Sequence, residues 1–291
     1  MLYQIFSVIA PVFICAMLGF WWVKKGLNFD TPFVSRLVMD VGAPCLVFSS
    51  FMEQHIDMAA FKQMALGSLL AMLAFGVIGG GILYASKQDQ RTWLPAQMFP
   101  NVGNMGLPLC FLAFGAEGQA LGMTYFMINV VFGLTLGVMI TSGQVAFRDL
   151  LKNATFYSVL ITLAFLFTDN KPPAWIQNTT KLLSNFTIPL MLIAMGVSLA
   201  RFQITSIRRS LLLSLLRICM GFGVGWALAE LMGLTGAARG VMILQSAMPI
   251  AVFSYMFAVR YDRNPEEVAS TVVISTVLSF VSLPALLWFV L

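Results

Sequence analysis

Charge is scarce in this chain. Only 10% of its 291 residues are Asp, Glu, Lys or Arg, against roughly 25% in a soluble globular domain. No stretch is long and polar enough to form a separate soluble domain, and no Walker motif is present, which argues against direct ATP coupling within this chain. The single histidine, His55, lies in a polar turn. One histidine cannot build a site of several histidine ligands, and in a polar turn outside the spans it gives no sign of a Ser-His-Asp triad. The four cysteines, Cys15, Cys45, Cys110 and Cys219, fall inside apolar runs without Cys-x-x-Cys spacing. They read as small buried hydrophobes, not as a disulfide framework or a metal site. The net charge of +5 and pI of about 9.2 do not imply nucleic acid, because the basic residues sit at helix ends, where membrane topology uses them.

What the chain has in abundance is apolar residues. They make up 59% of it, and the mean hydropathy is +0.87. At about 20 residues per span, ten helices take roughly 200 residues and leave nine short loops. The pattern predicts an all-α polytopic membrane protein with ten transmembrane helices. Their expected positions are Tyr3–Val23, Phe33–Phe51, Gln63–Ser86, Thr92–Phe114, Gln119–Thr141, Ala154–Phe167, Trp175–Leu199, Ser210–Met232, Ala237–Val259 and Pro265–Val290. The first run lacks a basic n-region and exceeds an h-region in length, so it reads as a retained span. Twelve Lys and Arg residues fall in one set of alternate loops and four in the other. By the positive-inside rule the first set is cytoplasmic and both termini lie outside, as in a bacterial inner membrane.

The ten spans divide five and five. Asp40-Val-Gly-Ala-Pro44 in helix two stands against Asn185-Phe-Thr-Ile-Pro189 in helix seven, and Asn104-Met-Gly-Leu-Pro108 in helix four against Gln245-Ser-Ala-Met-Pro249 in helix nine. Both pairs have nearly the same separation, and each motif has a polar residue four before its proline. An odd number of spans per half forces opposite orientations, so the expectation is an inverted repeat, residues 1–148 and 149–291, the plan of many secondary transporters. Helix four packs two prolines, two glycines and two asparagines into Pro100–Pro108. Proline removes a donor and glycine weakens the helix. A broken backbone at membrane depth must line protein or a watery cavity. Asn101 and Asn104 are therefore expected to line such a cavity, with Gln245 and Pro249 at the matching break. Two half-helix N-termini meeting there favour an anion.

Asn101-Val-Gly-Asn-Met-Gly-Leu-Pro-Leu109 resembles the helix-four signature of the auxin efflux carrier family. Ala247-Met-Pro-Ile-Ala-Val252 with Phe257-Ala-Val-Arg-Tyr261 resembles its helix nine. Ser270–Ser279 with Leu283-Pro284, and Ile188–Gly196, extend the likeness over essentially the full length. The resemblance implies ten helices with crossed helices four and nine, similar to sodium–proton antiporters and bile-acid symporters. It also implies an elevator-like motion of helices three to five and eight to ten against a scaffold of helices one, two, six and seven. The implied substrates are organic anions such as auxin or malonate. By position, Asn101 and Pro108 match the helix-four crossing and Pro249 the helix-nine crossing. Bacterial relatives often have Asn four residues after the helix-nine proline, where this chain has Phe253, followed by Ser254. That departure points to a more apolar ligand or a shifted site. Family relatives are often homodimers.

Two ionisable residues lie within spans. Arg217 either binds a substrate carboxylate bidentately or snorkels to the inner interface. Asp40 either holds a coupling proton or sodium ion, or forms a structural pair or cavity wall. Their similar depth permits them to pair. Asn129, Thr124 and the Ser and Thr residues of helix ten are expected to be helix-packing groups. The substrate-binding set read from the sequence is thus Asn101, Asn104, Pro108, Gln245, Pro249, Ser254 and Arg217, with Asp40 as the coupling-ion candidate. No cofactor and no metal are expected, and the surroundings are lipid bilayer. An intramembrane enzyme would need a nucleophile, base or metal set that the chain does not offer. The expected activity is secondary transport of a small organic anion. A sodium-coupled symporter of the bile-acid type and an anion channel are the alternatives on the same fold.

Overall fold

A computed structural model describes residues 2–53, 58–144, 151, 154–168 and 172–291. His55 and the expected boundary between halves at residues 148 and 149 lie outside the described residues. The described chain is helical. Its only paired extended backbone is a single antiparallel bridge between Pro100 and Ile250. Helix α1 covers Leu2–Lys24, α2 Thr31–Leu37, α3 Ala43–Glu53, α4 Met58–Ala85, α5 Gln90–Met98, α6 Leu107–Phe132 and α7 Val138–Ser142. Helix α8 covers Ala154–Thr168, α9 Ala174–Arg201, α10 Ile207–Leu231, α11 Gly236–Ser246, α12 Val252–Arg260 and α13 Pro265–Val290.

Seven helical stretches among the described residues are long and apolar enough to cross a membrane. The remaining apolar helices are shorter, as α8 is, or broken, as α5, α11 and α12 are. The outer surface carries Leu66, Val77, Leu212, Val281 and Trp288 fully or half exposed, a belt that lipid satisfies and water does not. Inside, hydroxyls spend their donors locally. Ser68, Thr124 and Thr162 each bond the carbonyl one turn back. Ser210, Ser270 and Thr271 form a hydroxyl seam joining α10 to α13.

Local chemistry sets the helix ends. Asp30 caps α2 by accepting from Phe33 N–H at 3.0 Å, and Asp89 caps α5 by accepting from Arg91 N–H at 3.2 Å, as N-cap carboxylates do. Helices α2 and α3 are joined by a π-helical turn, Val38–Gly42, and a second π turn, Val102–Gly106, leads into α6. Each ends two residues before a proline, Pro44 or Pro108. Proline cannot donate to the carbonyl four residues back, so the carbonyls of Asp40 and Asn104 lose their usual partner and the turn widens to bond five residues back. The stretch α6 is two helices that meet within the expected loop between Phe114 and Gln119. The chain turns there at one residue, Gly115, whose φ of 64° and ψ of −150° suit glycine alone.

Helix α1 lies along α9, and α3 lies against α8 and α9. Gly19 and Gly196 allow the first contact. A β-carbon on Gly196 would sit 1.8 Å from the carbonyl oxygen of Ala16, and one on Gly19 would sit 2.0 Å from that of Ile193. Helices α4, α6, α10, α11 and α13 pack around one another and carry α5 and α12 between them.

Candidate functional site

Helix α5 stops at Met98 because the next residues cannot continue it. Phe99 is extended at φ −106° and ψ 98°, Pro100 has no N–H, and Asn101 sits at φ −76° and ψ 57°. Helix α11 stops at Ser246, and Ala251 is extended before α12 begins. The two breaks then satisfy each other. Asn101 N–H donates to Pro249 O at 2.7 Å, and Ala251 N–H donates to Phe99 O at 3.2 Å. Ile250 N–H donates to Ser275 Oγ of α13 at 3.2 Å. The prolines occupy places in this short ladder where no donor is needed, so the break gives up no ladder bond to them. The bridge pairs Pro100 with Ile250, next to Pro249. Pro108 lies in the first turn of α6, buried and away from the break.

A cavity of about 130 Å³ lies against this crossing. Asn101, Val102, Gly103 and Asn104 form one wall with Ala251, Val252 and Phe253. Phe126, Asn129 and Gly133 close it from α6 and the turn after it. Val34, Ser35, Val38 and Met39 face these from α2 and its π turn, and Met191 and Ala194 from α9. None of the described lining residues is ionisable. The cavity thus sits between the crossing on one side and α2 and α9 on the other.

The polar lining is unusual for what it leaves unpaired. Asn101 is 4% exposed and Asn129 is 7% exposed, and Nδ2 of each has no hydrogen-bond partner. A buried unpaired donor costs roughly 1–3 kcal/mol. The helices that begin at Val102 and Val252 also start here. Val102 N–H donates to Pro100 O at 2.8 Å and Ser254 N–H to Ala251 O at 3.0 Å, and the dipoles of both helices present partial positive charge. The wall therefore offers donors without acceptors and positive potential without a cationic side chain.

The structure gathers some of the expected residues and disperses the others. Asn101 and Asn104 line the cavity. Pro249 contributes its carbonyl to the crossing. Gln245 is fully buried behind it, with Nε2 donating to Gly122 O at 3.1 Å and Oε1 packed against Gly106. Ser254 is buried with its hydroxyl unpaired, outside the cavity lining. Arg217 does not snorkel and does not reach the cavity. It is 0% exposed, and its donors go to backbone carbonyls of Gln97, Ser246 and Met248. Asp40 is exposed and does not line the cavity. The two do not pair, because the guanidinium is enclosed at the crossing while Asp40 faces outward from its π turn. The sequence reading missed Asn129 as a cavity residue and took it for a packing group. Its signal was an amide in an apolar run, which sequence alone does not distinguish from interhelical glue. Phe253, the departure from the family pattern, faces the cavity with its ring centroid 6.0 Å from that of Phe257.

A described chain that is helical, clothed in exposed apolar side chains and crossed by broken helices is an integral, polytopic membrane protein. Residues 4–145 and 138–287 match a family described as membrane transport protein. The chain belongs to this family of transporters, that of the auxin efflux carriers. It is 27% identical over 297 residues to an uncharacterized transporter of Methanothermobacter thermautotrophicus, covering 97% of this chain and 96% of that one. It is 22% identical over 303 residues to an uncharacterized transporter of Methanocaldococcus jannaschii, covering 98% of each. It is also 28% identical over 152 residues to auxin efflux carrier component 1 of Arabidopsis thaliana, covering 50% of this chain and 24% of that one.

Proposed function

We propose that the protein is a secondary transporter that moves a small organic anion by an elevator motion, with the cavity at the crossing as its substrate site. The observation that carries this is the pair of unpartnered buried amides, Asn101 and Asn129, beside two helix N-termini. A carboxylate is acceptor-only and takes several donors at once. It would satisfy both amides and lie in the positive field of the helix ends. The volume of about 130 Å³ is several times the roughly 10–15 Å³ that admits one water, which leaves room for a small carboxylate. Phe99, Phe126, Phe253 and Phe257 supply the apolar surround.

On this reading the chain makes ten spans as two inverted halves, with α5 and the start of α6 forming the fourth and α11 and α12 the ninth. Helices α1, α2, α3, α8 and α9 form the scaffold, and the rest form the moving unit. The cavity's position between Met39 and Met191 on one side and the crossing on the other suits such sliding. The excess of Lys and Arg in one set of loops supports an orientation with both termini outside a bacterial inner membrane. The test is flux in proteoliposomes across a panel of mono- and dicarboxylates. Saturable counterflow of one carboxylate class, reduced in Asn101→Ala and Asn104→Ala variants that still insert, is the expected result. Silence of the folded wild type across the panel, or normal flux in both variants, refutes the assignment.

A further inference from the structure

We propose that Arg217 is a resident cation at the crossing, taking the place that a coupling sodium ion would otherwise fill. This rests on the reading of the crossing as the transport site. Each broken helix has two ends there. The N-terminal ends border the cavity. The C-terminal ends, of α5 and α11, point their last carbonyls at the other side of the crossing. Those carbonyls have no intrahelical donor and carry partial negative charge. Two such ends converging on one place form a cation site, because unwound carbonyls and half-helix C-termini are what coordinates sodium in broken-helix carriers.

Here the guanidinium of Arg217 is in that place. Nη1 donates to Gln97 O at the end of α5. Nη2 donates to Ser246 O at the end of α11. Nε donates to Met248 O in the break itself at 3.3 Å. The ring of Phe75 from α4 lies 4.1 Å below the guanidinium carbon, closing the remaining face. Room for this comes from Gly221, one turn on in α10, where a β-carbon would fall 3.0 Å from Nη2 and 2.2 Å from Ser246 O. A guanidinium stays charged under all physiological conditions. The side chain thus supplies, permanently and from α10, the charge that neutralises both C-terminal ends. Through those ends it holds the two N-termini at the spacing the substrate meets. Arg217 is a positioning residue for the anion and does not touch it.

Three consequences separate this from a purely structural buried arginine. First, the wild-type KM for the transported carboxylate changes less than twofold when external sodium is replaced by choline. Second, Arg217→Ala raises that KM about tenfold, and millimolar guanidinium or sodium restores it; a tenfold effect is an ordinary coupling between sites. Third, millimolar guanidinium raises the Tm of Arg217→Ala in detergent and leaves the wild-type Tm unchanged, by preferential binding to the folded state. Arg217→Lys keeps the charge and remains indifferent to sodium. The proposal is overturned by a wild type whose KM depends tenfold on sodium. It is also overturned by an Arg217→Ala protein that neither guanidinium nor sodium stabilises or rescues. If Arg217→Ala does not fold without additive, purification in guanidinium restores folded protein on this reading, and failure to do so counts against it. A wild type silent for every carboxylate refutes the transport assignment, and the Tm measurement still decides the cation site.

Discussion

Asn129 decides between an amide that packs helices and one that holds substrate. Its Nδ2 has no partner in the folded protein, though the residue is 7% exposed and lines the cavity. Asn129→Leu keeps the volume and removes the amide. Deleting an unpaired buried donor relieves its desolvation cost, so the unliganded protein should be as stable as the wild type or more so, by up to about 1–3 kcal/mol. The bound carboxylate loses one charge-assisted hydrogen bond, worth about 1.5–3 kcal/mol, which is roughly a 10- to 150-fold rise in KM. Counterflow in proteoliposomes gives the KM, and thermal unfolding in detergent gives the stability. The opposite pattern, a lower Tm with an unchanged KM, would show that Asn129 is interhelical glue and remove it from the site.

Two other substitutions test the packing and the specificity of this arrangement. Gly196→Leu places a β-carbon 1.8 Å from the Ala16 carbonyl oxygen; α1 and α9 must part, at about 1–3 kcal/mol or more for overpacking, read as a lower Tm in detergent, and an unchanged Tm would refute the close contact. Phe253→Asn adds a further amide to the cavity wall that Asn101 and Asn104 share; affinity for dicarboxylates relative to monocarboxylates should rise by about tenfold, the worth of one added hydrogen bond, and an unaltered preference in the competition assay would show that residue 253 does not meet the substrate.

Much of the architecture was legible from composition and proline placement. Apolar runs of span length mark helices whatever their neighbours, because lipid rewards backbone that bonds within itself. The cluster Pro100–Pro108 declared a break for the same reason. The pairing of Pro100 with Ile250 across the two breaks was not legible, because it joins segments 150 residues apart. Gly115 was also legible only in part. The sequence suggested a loop of several residues, and the chain turns on one glycine.

The residues of the site divide along the same line. Asn101 and Asn104 could be named from their own segment, because their placement depends on a local break. Asn129, Phe253 and Arg217 acquire their roles from partners far along the chain. Arg217 meets carbonyls 29 and 120 residues away, and no pattern within α10 announces them. By itself the sequence determined that this is a helical membrane protein with two broken helices, because burial in lipid and the loss of proline's donor are local properties. Which broken ends face each other, which amides stay unpaired and where the buried charge goes were decided by tertiary structure alone. Those outcomes depend on distances between helices, which hydropathy and spacing do not encode.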